Sequence, residues 1–187
     1  MSEYATMSEY QTKIKEQICE ILSRPEREEL TFDILDTEKS KRNKLLALKE
    51  KQRQMKVGDI WQCVLGNYTG FRDLKIGHKT GLDILSEERK MAIELKNRTN
   101  TDNASSRKAN LDKLAKYKVE NPEYTCIYAN INANTEEKTM NFAKKIILHN
   151  GVEIEHRVGT EFLKFILGDD MDMVIDFVKK TIDENTV

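Results

Sequence analysis

The sequence predicts a mixed α/β (α+β) fold, with a central mixed β-sheet flanked by helices and helical additions at both ends. Three observations predict it. Apolar residues recur with a helical period at the start and end of the chain, but with a period of two in the middle. Asn150-Gly151, set between two short apolar runs, is the signature of a type I′ hairpin turn. No Ser/Gly-rich linker interrupts the order helices, strand, strand, helix, strand, hairpin, helices, so the 187 residues read as one domain. Within it, 1–66 is a helical N-terminal part, 77–132 the core, and 144–187 the hairpin and C-terminal helices.

The opening tetrapeptide Met1-Ser2-Glu3-Tyr4 recurs as Met7-Ser8-Glu9-Tyr10, too short a repeat to be an architectural unit. From Ser8, a plausible N-cap, Tyr10, Ile14, Ile18 and Ile21 step along one helical face until Pro25. A second helix is predicted over about Asp36 to Met55, with Leu45, Leu46 and Leu48 as its apolar side, and a shorter one over Ile60 to Leu65. Tyr68 to Gly81, with three glycines, reads as an irregular loop. Gly81 to Leu85 and Met91 to Lys96 then read as two strands joined by the polar turn Glu87-Glu88-Arg89-Lys90. A helix follows over Arg107 to Val119, closed by Pro122. Thr125 to Ile131 is almost wholly apolar, as a central strand must be. The hairpin (145–149, 152–157) and helices near Thr160–Leu167 and Met171–Asp183 complete the chain.

Composition narrows the function classes. With 39% hydrophobic and 34% charged residues, the chain is charge-rich but has enough apolar material to build a core. No apolar run is long enough to span a bilayer, and the N-terminus lacks a signal-peptide pattern. A cytoplasmic, intracellular setting without membrane contact is the expectation. Cys19, Cys63 and Cys126 are odd in number and widely spaced, and no CxxC pair exists, so three reduced thiols are expected. The net charge of −1 hides a segregation. Residues 1–36 carry nine acidic and four basic side chains, 41–56 one and seven, 89–118 three and nine, and 161–187 seven and three. A basic middle between acidic ends makes a local anion-binding surface on a neutral chain; solvated helix faces are the alternative.

The chemistry gathers at the first hairpin. In the second strand, Met91, Ile93 and Leu95 face one way and Ala92, Glu94 and Lys96 the other. Counting back through the turn pairs Leu85 with Ala92, Ile84 with Ile93 and Asp83 with Glu94. Directly opposed side chains lie roughly 4.5–5.5 Å apart at Cβ. Two carboxylates that close repel unless a proton or a cation lies between them. A hard divalent cation such as Mg²⁺ takes oxygen ligands and keeps several waters, which suits such a pair. Lys96 beside it would hold or activate a water, completing the parts for metal-assisted phosphodiester hydrolysis.

Gly81-Leu82-Asp83-Ile84 followed by Ile93-Glu94-Leu95-Lys96-Asn97 resembles the active-site signature of the PD-(D/E)xK nuclease superfamily. The longer run from Gly77 to Lys108 is similar to small type II restriction endonucleases, among them enzymes that cut GGNCC-type sites. The likeness covers roughly residues 40–157 and is strongest over 77–118. Leu82 stands where the nominal motif has Pro; that Pro supplies no ligand. The resemblance implies a restriction-endonuclease-like fold and a magnesium site of Asp83, Glu94 and the backbone carbonyl of Leu95. It further implies that Lys96 orients the attacking water and that the product carries a 5′-phosphate. Double-stranded DNA is the implied partner, the chain a homodimer, and a cognate DNA methyltransferase a member of the same system without forming a stable complex. A further acidic or amide group from an upstream helix is also implied, with Glu50, Gln54 and Gln62 as the open choices.

Residues around the motif are candidates for DNA contact: His78 and Lys79 before it, then Asn97, Arg98, Thr99, Asn100, Asn103, Ser105, Ser106, Arg107 and Lys108, with Lys113 as a further phosphate contact. Asn and Arg read base edges and Ser and Thr bind phosphates. The same stretch also serves as an ordinary polar loop ending in a helix cap, and the two readings are compatible. His149 and His156 flank the hairpin turn but face Val152 and Lys145, so no histidine metal site is expected. Trp61 is expected as a core or interface anchor. The competing functions are a structure-specific nuclease of the same superfamily (a Holliday-junction resolvase or repair nuclease) and a non-catalytic DNA-binding module.

Overall fold

A computed structural model describes residues 6–25, 30–75, 77–98, 103–132 and 144–185, with Arg98 and Lys144 described by their backbone alone. Thr99, Asn100 and the first copy of the tetrapeptide repeat lie outside the described residues.

Helix α1 spans Met7–Ser23. Its cap is Thr6 rather than Ser8. The Thr6 hydroxyl accepts the Glu9 amide at 3.3 Å while the Glu9 carboxylate accepts the Thr6 amide at 3.2 Å, a reciprocal box that satisfies two orphan donors and sets a negative charge at the helix start. Helix α2 runs unbroken over Glu38–Gly66, where two helices were expected. The expected break at Val57-Gly58-Asp59 is braced by the end of α1. Lys56 Nζ donates to the Leu22 carbonyl at 2.7 Å and Arg24 pairs with Asp59 at 2.9 Å. Those contacts oppose the roughly 1 kcal/mol that an interior glycine costs. Of the expected apolar side of α2, Leu45 and Leu46 are exposed and Leu48 is half-buried, because the first turns of α2 lie beyond the sheet and bury only Gln52 before Ile60.

Six strands follow: β1 (Arg72–Asp73), β2 (Ile84–Ser86), β3 (Met91–Arg98), β4 (Thr125–Asn132), β5 (Lys144–His149) and β6 (Val152–Val158). They form one sheet in the order β1-β2-β3-β4-β6-β5. β3–β4 and β4–β6 are parallel and the other pairs antiparallel, so the sheet is mixed and β4 is interior, as its apolar run requires. The two-residue β1 lies inside the stretch expected to be loop. Helix α3 (Ala104–Glu120) is the crossover between β3 and β4. After β6 come α4 (Gly159–Leu167), one 3₁₀ turn (Gly168–Asp170) and α5 (Met171–Asn185). At the hairpin, Asn150 (φ 51°) and Gly151 (φ 77°) both adopt the left-handed conformation that a type I′ turn demands.

Alternation along β3 and β4 divides the core into two layers. One face of the sheet carries Ile93, Leu95, Ile127, Ala129 and Ile131, packed against Ile14 and Ile18 of α1, Ile60 and Val64 of α2, Phe162 of α4 and Val174 of α5. Trp61 packs at its margin. The other face carries Ala92, Cys126, Tyr128 and Ile154 under Leu111, Leu114 and Ala115 of α3. All three cysteines are free, with Cys63 and Cys126 buried. No described helix is long and apolar enough to cross a membrane.

Candidate active site

The carboxylates sit where β2 and β3 begin to part. The ladder pairs Leu85 with Ala92 and Ile84 with Ile93, as register counting predicts, and ends there. Asp83 is one position beyond the ladder, short of the regular pairing expected with Glu94. Its amide still donates to the Ile93 carbonyl at 3.2 Å and its Oδ2 accepts the Leu95 amide at 2.7 Å. The carboxylate thus bonds to the β3 backbone, which fixes its direction. Leu95 meets this site through its main chain, while its side chain lies in the opposite, apolar layer.

Glu94 is 2% exposed. Its Oε1 accepts Lys96 Nζ at 2.8 Å, and Lys113 Nζ from α3 lies 3.8 Å from the same oxygen. Its Oε2 is buried with no hydrogen-bond partner, the one such side-chain atom among the described residues. Burial raises the pKa of Asp83, opposed by the Leu95 amide and the two lysines and reinforced by the charge of Asp73. Burial also raises that of Glu94, followed by repulsion from Asp83. A buried acceptor with nothing to accept costs about 1–3 kcal/mol, more when charged. The site is therefore short of positive charge on the Oε2 side. Among the described residues no group of three His, Cys, Asp or Glu side chains gathers as a metal cage. Two carboxylates do suit a hard divalent cation that keeps much of its water shell, and the unpartnered oxygen fits that role.

The other candidates divide. His78 Nδ1 lies 2.8 Å from the Thr80 hydroxyl, which ties it into its own loop, and Lys79 is exposed. Asn97 is committed at both ends: Nδ2 donates to the Gln54 carbonyl at 3.1 Å and Oδ1 accepts from Asn132 at 2.7 Å. It joins α2, β3 and β4. Asn103 is the N-cap of α3 and accepts the Ser106 amide at 2.8 Å. Ser105, Ser106, Arg107 and Lys108 line its exposed first turn, with the Arg107 guanidinium 5.6 Å from the Tyr128 ring centre. The Arg98 side chain, Thr99 and Asn100 lie outside the described residues. Of the upstream choices, Glu50 pairs with Arg53 at 2.8 Å and accepts from Gln54 at 2.8 Å, whereas Gln62 donates to Asp73 at 2.9 Å.

Several polar groups escaped sequence reasoning. Asp73, hidden in the expected loop, stands in β1 beside Ile84 and within electrostatic reach of Asp83. On the polar face, in-register parallel pairing lines up Glu94 with Tyr128 and His156, and Lys96 with Asn130. His156 and Asn130 are both buried and meet at 2.7 Å. Burial, then the positive charges of Arg107 and Lys145, push His156 down to about 4. His156, directly opposite Lys145 in the hairpin, carried no local signal of its pairing with Asn130. His149 instead meets Asp112 at 2.7 Å, so the two histidines diverge as register counting predicts.

A family model described as Eco47II restriction endonuclease matches residues 7–172. Comparison with curated proteins finds no match.

Proposed function

The chain belongs to the Eco47II restriction endonuclease family and is thus a sequence-specific endonuclease of double-stranded DNA, dependent on a divalent metal; from that premise we propose that Asp83, Glu94 and Lys96 form its phosphodiesterase centre. The observation that carries this reading is the buried, unpartnered Oε2 of Glu94 beside Asp83. Asp83 and Glu94, with the Leu95 carbonyl, would hold the cation, and Mg²⁺ is the ion this oxygen donor set suits. When bound, the metal supplies Lewis-acid stabilisation of charge on the phosphate. Lys96, held at 2.8 Å by Glu94, orients the attacking water through its ammonium. The water oxygen forms a new bond to phosphorus and releases a proton to solvent as the bond to O3′ breaks. O3′ leaves with the electron pair and takes up a proton, giving a 3′-hydroxyl and a 5′-phosphate.

The basic first turn of α3, with Arg107 and Lys108, supports a phosphate-contacting role on the same side of the sheet. Each chain carries one such centre and a duplex has two strands, which supports a homodimer. Phe32, Ile34, Leu35, Leu45 and Leu46 are exposed apolar side chains available to such contacts. A GGNCC-type recognition site and action inside the cell, alongside a methyltransferase that protects the host sites, complete the proposal.

Plasmid digestion tests it. With Mg²⁺ the wild-type protein gives discrete bands whose sequenced ends carry 5′-phosphates, and with Ca²⁺ it binds DNA without cutting. Sedimentation with DNA reports the dimer. Unchanged cutting by Asp83→Asn overturns the assignment.

A further inference from the structure

Lys113 lies beside the proposed centre without a part in it. Its Nζ sits 3.8 Å from Glu94 Oε1, but Lys96 already holds that oxygen at 2.8 Å. Lys113 donates instead to Oδ1 of Asn110, a buried neutral acceptor one turn earlier on α3, at 3.2 Å. Its side chain is 39% exposed against 23% for Lys96, so it opens further toward the solvent from which a duplex approaches. The lysine stem runs over Gly81 (φ +66°), where a Cβ would stand 3.4 and 3.5 Å from its Cδ and Cε, in van der Waals contact.

We propose that Lys113 is a further catalytic residue, contacting a non-bridging oxygen of the scissile phosphate and neutralising the charge that grows there during cleavage. The inference rests on the phosphodiesterase reading above. Charge counting supports it. Asp83 and Glu94 carry two negative charges, and Lys96 and Lys113 two positive ones. Once a divalent cation neutralises the carboxylates, the Lys113 ammonium no longer faces the negative charge of Glu94. Lys96 is assigned to the water; the phosphodiester is the anion left for Lys113. Asn110 holds the ammonium in place without offering it a competing charge. Preorganised positive groups aimed at a phosphoryl oxygen act mainly on the transition state.

The test uses single-turnover cleavage of a duplex spanning one mapped cut, together with the Kd for the same duplex in Ca²⁺. Lys113→Met should slow cleavage at saturating protein by about a hundredfold, while the Kd changes less than about threefold. Lys113→Arg should restore at least about a tenth of the wild-type rate. Cleavage by Lys113→Met within about threefold of wild type, or a loss residing wholly in Kd, overturns the proposal. If Lys113→Met fails to fold, Lys113→Gln is compared with Lys113→Arg, and equal rates for the two overturn it. Asp83→Asn in the same assay separates the two claims. If it cuts normally, the whole centre is misassigned; if it is dead while Lys113→Met cuts normally, only the role of Lys113 falls.

Discussion

The two faces of the sheet share the same strands and differ in kind. On the face covered by α1, α2, α4 and α5, β3 and β4 present Ile93, Leu95, Ile127, Ala129 and Ile131, all buried among apolar neighbours. On the face under α3, the intervening residues include Glu94, Lys96, Tyr128, Asn130 and His156. The apolar face gains from every contact that excludes water. The polar face keeps two like charges together and leaves a carboxylate oxygen without a partner. A protein can hold such a strained arrangement only where a rigid layer behind it fixes the backbone, and period-two alternation sets that layer one residue away from each polar side chain.

Four substitutions probe this contrast. The largest effect is expected from Asp83→Asn. Cleavage should fall about a thousandfold or more, since the role proposed for Asp83 lies wholly at the reacting centre. Removing one of the repelling charges should leave the melting temperature in metal-free buffer no lower than wild type, and the rise in melting temperature on adding Mg²⁺ should vanish. Plasmid digestion and thermal melts read these together, and a large fall in the metal-free melting temperature would count against the polar face being destabilised by its own charges.

Ile127→Ala, on the apolar face and fully buried, should show the reverse pattern. It should lose about 2–5 kcal/mol in denaturant unfolding, with cleavage per folded molecule little changed.

His156 should make part of the stability of the polar face depend on pH. Its pKa falls from 6.5 to about 4 on folding, so the folded protein favours the neutral ring. Asn130 and Tyr128 on β4, Arg107 on α3 and Lys145 on β5 face it, and the two cations oppose its protonation. The stability it contributes is present above pH 6.5, falls as the pH drops toward 4, and is gone below that. The whole swing is roughly 3 kcal/mol. Unfolding measured at pH 7 and pH 4.5 should therefore differ more for wild type than for His156→Gln.

The smallest effect is expected from Asn103→Ala. Loss of the α3 cap should cost about 1 kcal/mol, a fall of about 2–4 °C in melting temperature.

Much of this was legible without coordinates, because it depends on near neighbours along the chain. Alternation in 91–96 placed Glu94 and Lys96 on one side and Ile93 and Leu95 on the other. Counting through the four-residue turn aligned Ile84 with Ile93. Asn150-Gly151 set the hairpin register and thereby kept His149 and His156 apart. The apolar run of Thr125 to Ile131 announced an interior strand.

Tertiary structure decided the rest. Gly58 continues a helix because α1 braces the turns around it. Leu45 and Leu46 look like core residues by spacing but meet no packing layer. Asp73 is near Asp83 only because β1 adds itself to the sheet edge. Lys113 reaches Glu94, and His156 reaches Asn130, across sequence separations of 19 and 26 residues that crossovers and pairing close. Local periodicity states which way a side chain points relative to its neighbours. Which distant groups it meets is set by how elements dock, and docking is driven by apolar area that does not record which polar groups it brings together.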